Sequence, residues 1–147
     1  MLNKELMQLA EKIHDITLRQ KTIDLLENPT FEVNRKIYSA LPLKTAPAGK
    51  SHHHAYPGGF IEHVISSTKI ALAMCDSIEK VYHGKVNHDH VVAGMLLHDI
   101  FKPATYGKLE NGYYGSTQLA DFMDHLSIAT AELVRRNFPI ELVHIVS

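Results

Sequence analysis

Tryptophan is absent from the 147 residues, and Cys75 is the lone cysteine. A single thiol excludes an intramolecular disulfide framework and suits a reducing compartment. Nothing near Cys75 would activate a thiolate, so it reads with Met74 as packing. Long apolar runs are missing as well. No segment approaches the ~20 residues of a membrane span, and Met1-Leu2-Asn3-Lys4-Glu5 has no signal-peptide core. The sequence therefore predicts a cytoplasmic protein with no membrane partner. An excess of one charge is the next absence: the net charge is −1 with histidine neutral, so no overall field draws nucleic acid, and only a local basic groove could hold it. Repeats and low-complexity tracts are lacking too. Histidine is what stands out, with 11 residues. It binds metals and moves protons near neutral pH, so an excess without matching basic charge favours a metal or proton-transfer site.

Apolar residues make up 45% and charged residues 21%, ordinary for a single globular domain with a real core. Leu2, Leu6, Leu9, Ile13 and Ile16, then Ile23, Leu25 and Leu26, recur at helical spacing and predict one or two helices before Asn28-Pro29. A further short helix is expected over Phe31–Leu41. The irregular stretch Pro42–Gly59 is long for a compact domain and carries His52, His53, His54 and Tyr56, which marks it as functional. A long helix follows from Phe60 to about Val81, presenting Phe60, Val64, Ile70, Leu72, Met74 and Ile78. Asn87 is the expected N-cap of the next helix, which Pro103 should stop just after Lys102. Asn111-Gly112 between Tyr106 and Thr117 predicts a small β-hairpin. Another helix is expected over about Leu119–Arg136, and a last one from Pro139. The fold class is all-α, a helical bundle with one small β-hairpin.

The chemistry concentrates at His98-Asp99, which closes the apolar run Val91–Leu97. Burying an imidazole and a carboxylate there without partners costs several kcal/mol, and a divalent cation offsets that cost directly. His63 lies on one predicted helix, His98-Asp99 on a second and His125 on a third, and a bundle points such groups into a shared interior. Imidazole and carboxylate donors suit Mn, Fe, Ni or Zn and argue against calcium. Such an ion acidifies water to yield a nucleophile near neutral pH. Lys102, three residues after Asp99, can face the same side and hold an anionic oxygen. Each element also has a plainer reading. His63 can be a hydrogen-bonded histidine, His98-Asp99 a helix-end ion pair, and His125 a surface partner of Asp121 or Asp124. His83, His88, His90 and His144 read as solvent-facing.

The motifs add to the spacing. His53-His54-Ala55-Tyr56-Pro57-Gly58-Gly59-Phe60-Ile61-Glu62-His63, followed by His98-Asp99-Ile100-Phe101-Lys102, resembles the HD-domain superfamily of metal-dependent phosphohydrolases. The resemblance runs from Pro47 to Ser147. It is similar to two groups: exoribonucleases with an oligonucleotide-binding domain ahead of the HD domain, and archaeal HD proteins of the dihydroneopterin 2′,3′-cyclic phosphate phosphodiesterase type. The second fits better, because no five-strand pattern precedes Pro47. The resemblance implies a single HD-type domain over 1–147, with a helical segment 1–46 and an HD core 47–147. It implies His63, His98 and Asp99 as metal ligands, with His125 supporting a second metal or the substrate phosphate. On this reading Lys102 is expected to act with Asp99 in catalysis, and His53, His54, Tyr56 and His125 to meet the substrate; Tyr56, Tyr113 and Tyr114 are candidates to stack on a heterocycle. The family pattern places a His-His-Gly, and later an Asp ligand, beyond a segment like Leu142–Ser147. The expectation is thus an HD core truncated at its C-terminus, with weak metal binding and a poorly packed last turn at His144–Ser147.

The resulting expectation is a metal-dependent phosphodiesterase acting on a small cyclic-phosphate or nucleotide-like substrate through a metal-activated water, with one or two ions. An exoribonuclease acting on RNA ends is the alternative within the family, and a non-catalytic nucleotide-binding module is the alternative outside enzymes. Oligomeric state has no signature in the sequence.

Overall fold

The computed structural model describes Met1–Ser147. Two helices open the chain, α1 (Lys4–Ala10) and α2 (Ile16–Glu27). Asn3 caps the first by accepting from the Glu5 and Leu6 N–H groups, and Asp15 caps the second through Leu18 N–H; these side chains satisfy donors that no helical carbonyl can reach. Leu6, Leu9, Leu18, Leu25 and Leu26 turn inward from them.

The helix expected over Phe31–Leu41 is instead a hairpin, β1 (Thr30–Val33) and β2 (Lys36–Ser39). Val33 pairs with Lys36, leaving Asn34 and Arg35 as a two-residue turn with φ of 50° and 64°. Two successive left-handed residues are what a tight hairpin needs, and Asn-Gly is its usual signature. Arg35 in the second position hid the signal. Phe31 stacks on Tyr38 and meets Phe101 edge-on, which ties the hairpin to the core.

After the loop come α3 (Gly59–Tyr82) and α4 (His88–Leu97). Phe60, Val64 and Thr68 of α3 are buried, but Ile70, Met74 and Ile78 are exposed by 62%, 58% and 44%. The expected apolar face thus reaches the core through Phe60, Val64 and the partly buried Leu72, while Ile70, Met74 and Ile78 face solvent, and Met74 is not packing. Asn87 caps α4 through His90 N–H. This helix ends at Leu97, five residues earlier than Pro103 predicts. Ile100 N–H bonds to Leu97 O and Lys102 N–H to Asp99 O, and a 3-10 turn follows over Lys102–Ala104. These i→i+3 bonds tighten the backbone and rotate His98 and Asp99 out of the helical repeat.

The expected second hairpin is present, β3 (Tyr106–Lys108) and β4 (Tyr114–Ser116), with Gly112 at φ 85°. The helix predicted over Leu119–Arg136 is broken. A 3-10 turn spans Gln118–Asp121, and α5 (His125–Arg135) starts afresh. Asp124 is extended (ψ 161°) and its carboxylate accepts from Ser127 N–H, so it caps α5 rather than pairing with His125. The last helix, α6 (Ile140–Val146), follows Pro139 as expected. In the final turn, expected to be poorly packed over His144–Ser147, Val146 is buried while His144, Ile145 and Ser147 are exposed. Gly94 of α4 makes room for this turn; a Cβ there would lie 2.7 Å from Ile145 Cγ2. The result is the expected helical bundle, with two small hairpins rather than one. Its 26-residue core draws on the helices, on β1 and on the segment around Phe101.

Candidate metal centre

Where α4 gives way to its tightened turn, Asp99 is buried with a side-chain exposure of 8%. Four cation-capable groups surround it. His63 Nε2, from the second turn of α3, lies 3.3 Å from Oδ2, and His98 Nε2 lies 3.4 Å from the same oxygen. Lys102 Nζ is 3.5 Å from Oδ2, and His125 Nε2, the first residue of α5, is 3.1 Å from Oδ1. Burial alone would raise the Asp99 pKa, but the bonds from His125, His63 and His98 hold it far below the usual carboxylate range. For His98, burial opposes protonation, yet Asp99 and the Met95 carbonyl pull its pKa upward.

The donors fit a cation. His63, His98 and Asp99 bring ligand atoms to within 4.8 Å of one another. His98 Nδ1 bonds to Met95 O at 2.7 Å. A carbonyl can only accept, so Nδ1 carries the proton and Nε2 keeps the other direction, the usual way an outer partner orients a metal-binding histidine. His125 reaches Asp99 from its other oxygen and stands apart from the His63–His98 pair.

The loop Leu41–Gly58 brings His53 and His54 to the same place. Their rings lie 5.1 and 5.9 Å from that of His63, and the three form a second group of convergent ligand atoms. Partial burial, then the neighbouring His63, His54, Lys102 and His52, lowers the His53 pKa and favours its neutral form. The loop is held by main-chain bonds from Ala48 N–H to His54 O and from Phe60 N–H to Ala46 O. Gly59 lies so close to His54 that a Cβ would sit 2.1 Å from His54 O, which explains why glycine stands there. Tyr106, buried on β3, donates its hydroxyl to Pro47 O, and Lys50 Nζ donates to Ser116 Oγ. Sequence reasoning missed Tyr106 as an anchor, because nothing local distinguishes it from its neighbours.

Tyr56 donates to Glu62, an interaction that raises its pKa. Tyr114 packs edge-on against Tyr106, while Tyr113 is 72% exposed. Phe122, three residues before His125, is 78% exposed and was not anticipated. Among the histidines read as solvent-facing, His88 is instead half-buried against Glu79. A cavity of about 480 Å³ is lined by Leu2, Leu26, Pro29, Leu43 and Ile61, with no histidine among its lining residues. No helix is long and apolar enough to cross a membrane.

The model of the HD domain family matches residues 60–147. The chain is 45% identical over 144 residues to the dihydroneopterin 2′,3′-cyclic phosphate phosphodiesterase of Methanocaldococcus jannaschii, covering 98% of this chain and 57% of that protein. It is 32% identical over 88 residues to the 3′-5′ exoribonuclease YhaM of Listeria welshimeri, covering 59% of this chain and 26% of the relative. The corresponding enzyme of Oceanobacillus iheyensis is 31% identical over 100 residues, 65% and 27% of the two chains. The chain thus spans little more than half the length of the first of these curated relatives and about a quarter of the others. No solved structure matches.

Proposed function

The chain belongs to the HD domain family, and from that premise we propose that it is a metal-dependent phosphodiesterase acting on a small cyclic-phosphate or nucleotide-like substrate. The observation that carries the reading is the convergence of His63, His98, Lys102 and His125 on one buried carboxylate. His63, His98 and Asp99 are the residues that would hold a cation, with His125 as a further donor toward a second ion or the phosphate. The donor set suits Mn, Fe, Ni or Zn. Bound there, such a cation supplies Lewis acidity toward a phosphoryl oxygen and acidifies water.

The remaining work falls to the chain's own groups. Asp99 stays ionised and accepts a hydrogen bond from the attacking water, which fixes the direction of approach. Lys102 places a permanent positive charge at the same carboxylate and offsets the charge that grows on the non-bridging phosphate oxygens. His125, His53 and His54 present imidazoles to those oxygens from two further sides. Tyr56, Tyr113 and Tyr114 offer aromatic faces to a heterocycle.

The cyclic-phosphate class is supported by the relative that aligns over nearly the whole chain. RNA ends are not favoured: the exoribonuclease relatives align over a shorter part, and a net charge of −1 provides no overall attraction for a polyanion. A cytoplasmic setting belongs to the same reading and is supported by the single unpaired Cys75. The test is elemental analysis of the purified protein, followed by assay of 2′,3′- and 3′,5′-cyclic nucleotides and generic phosphodiesters with added Mn or Fe. Metal content with turnover of a cyclic phosphate is the expected result. Nucleotide binding without any transition metal would establish a non-catalytic module instead.

A further inference from the structure

A second convergence of ligand atoms lies at the other end of α3. Asp76 and Glu79 stand one turn apart on that helix, and His88 is the first residue of α4, across the reversal at His83–Asn87. The reversal is tight: His83 takes a left-handed backbone, and its N–H closes on Glu79 O at 2.9 Å. His88 Nε2 is thereby turned onto Glu79 Oε1. Ligand atoms of Asp76, Glu79 and His88 all lie within 4.8 Å of one another. The side chains of His88 and Glu79 are only 35% and 30% exposed.

His88 is the one cationic group that pairs with Glu79, and Asp76 takes part in no ion pair. Asp89, the next carboxylate, turns away to His14 and the Asp15 N–H. The bond to Glu79, then the charges of Glu79, Asp76 and Asp89, raise the His88 pKa against the effect of its partial burial. Donors around a tetrahedral ion of the zinc class sit about 3.4 Å apart, given metal–ligand distances near 2.0–2.1 Å. Small rotamer changes of the half-buried His88 and Glu79 and of the exposed Asp76 bring the three atoms to that spacing.

We propose that Asp76, Glu79 and His88 form a second metal site, for a zinc-class divalent cation, that clamps the C-terminal half of α3 to the start of α4. One imidazole and two carboxylates favour a borderline transition ion over calcium or magnesium. The site lies about 20 Å along α3 from His63, since 13 to 16 residues separate them at 1.5 Å each. It is thus distinct from the Asp99 centre. Its consequence is mechanical: α3 carries His63 and α4 leads into His98-Asp99, so a cation here fixes the pair of helices that present the main centre.

Zinc binding to the His63→Ala/Asp99→Ala chain tests this, because His63 belongs to both other groups of convergent ligands. The readouts are zinc retained after dialysis and the shift of the melting temperature on adding zinc. One retained equivalent and a raised melting temperature are expected. Adding His88→Gln should weaken retention by at least about tenfold, the scale set by loss of even an outer partner, and remove the thermal shift. Glu79→Gln, a near-isosteric change at a half-exposed position, should do the same if His88→Gln perturbs the fold. Absence of a retained equivalent would overturn the proposal. So would retention unaffected by either substitution, since the zinc would then be an adventitious ion only, held by other histidines.

Discussion

Asp99 and Glu132 are the two carboxylates buried in this molecule, exposed by 6% and 2%, and their surroundings differ in kind. Glu132, on α5, accepts from Arg135 Nε and Nη2 at 3.0 and 2.6 Å, from Arg136 Nε at 2.7 Å and from Glu32 N–H at 3.2 Å. Arg136 continues to Thr30 O, so the network stitches α5 to β1. Its cations are permanent and their fork geometry is used up. Around Asp99 three of the four partners are imidazoles, which exchange protons near neutral pH and can turn a lone pair to a metal. Both sites answer the same cost of burying a charge. One answer is closed and serves architecture; the other leaves its partners free to change state, which chemistry requires.

The sharpest break of that comparison is a pair of substitutions. Asp99→Ala should abolish metal-dependent phosphodiester hydrolysis and lower metal affinity by more than about 100-fold, beyond the loss of an outer partner alone, while circular dichroism stays helical. Glu132→Ala should do the reverse. Denaturant melts should lose about 3 kcal/mol, the lower end for a broken buried pair because both guanidiniums keep contact with solvent, and the folded fraction should retain its metal. Stability loss on Asp99→Ala matching that of Glu132→Ala would erase the distinction.

A smaller effect separates charge from ligation within the Asp99 centre. Lys102→Gln should leave metal content unchanged and reduce kcat about 100-fold, as removal of one group stabilising developing charge typically does. A drop in metal content instead would make Lys102 part of the scaffold.

The acid limb of stability sharpens the Glu132 half. Burial raises its pKa, but the two arginines and the Glu32 N–H overcome this, leaving it below the ordinary glutamate value. A depressed folded-state pKa gives stability that is complete above the unfolded-state value. That stability is lost as pH falls through the lower folded-state value. Thermal melts of Glu132→Gln should therefore show a flatter decline with acid than the parent chain.

The smallest expected change is at Tyr106→Phe. It removes one hydrogen bond to Pro47 O, worth about 1 kcal/mol, and frees the loop that carries His53 and His54. KM should rise a few-fold while kcat and metal content hold. An equal fall in kcat with KM unchanged would show that Tyr106 acts elsewhere than through the loop.

The spacing of His63, His98-Asp99, Lys102 and His125 was readable because each falls on or beside a helix whose periodicity or capping is local. The Asn87 cap, the Asn111-Gly112 hairpin and the start of α6 at Pro139 were legible for the same reason. Misreadings share a different cause. Asn34-Arg35 adopts a turn that its composition does not announce, so a hairpin looked like a short helix. Pro103 suggested the end of α4, but the backbone had already tightened at Leu97. Asp124 looked like a partner for His125 and proved to be the cap that starts α5 there. His88 looked solvent-facing until the reversal after α3 set it against Glu79.

By itself the sequence determined an all-α chain and residues of a type able to hold a cation, since apolar periodicity, caps and donor chemistry act over a few neighbouring positions. The chain's HD type was legible only through the resemblance of the His53–His63 and His98–Lys102 motifs. Tertiary structure alone decided which groups meet. Three histidines from α3, the end of α4 and the start of α5 converge on Asp99, while Tyr106 pins a loop nearly sixty residues away in the chain. Glu132, unremarkable in sequence, is buried because two adjacent arginines and a strand N–H close around it. Burial and ion pairing are properties of packed neighbours, and neighbours in space are set only when the helices dock.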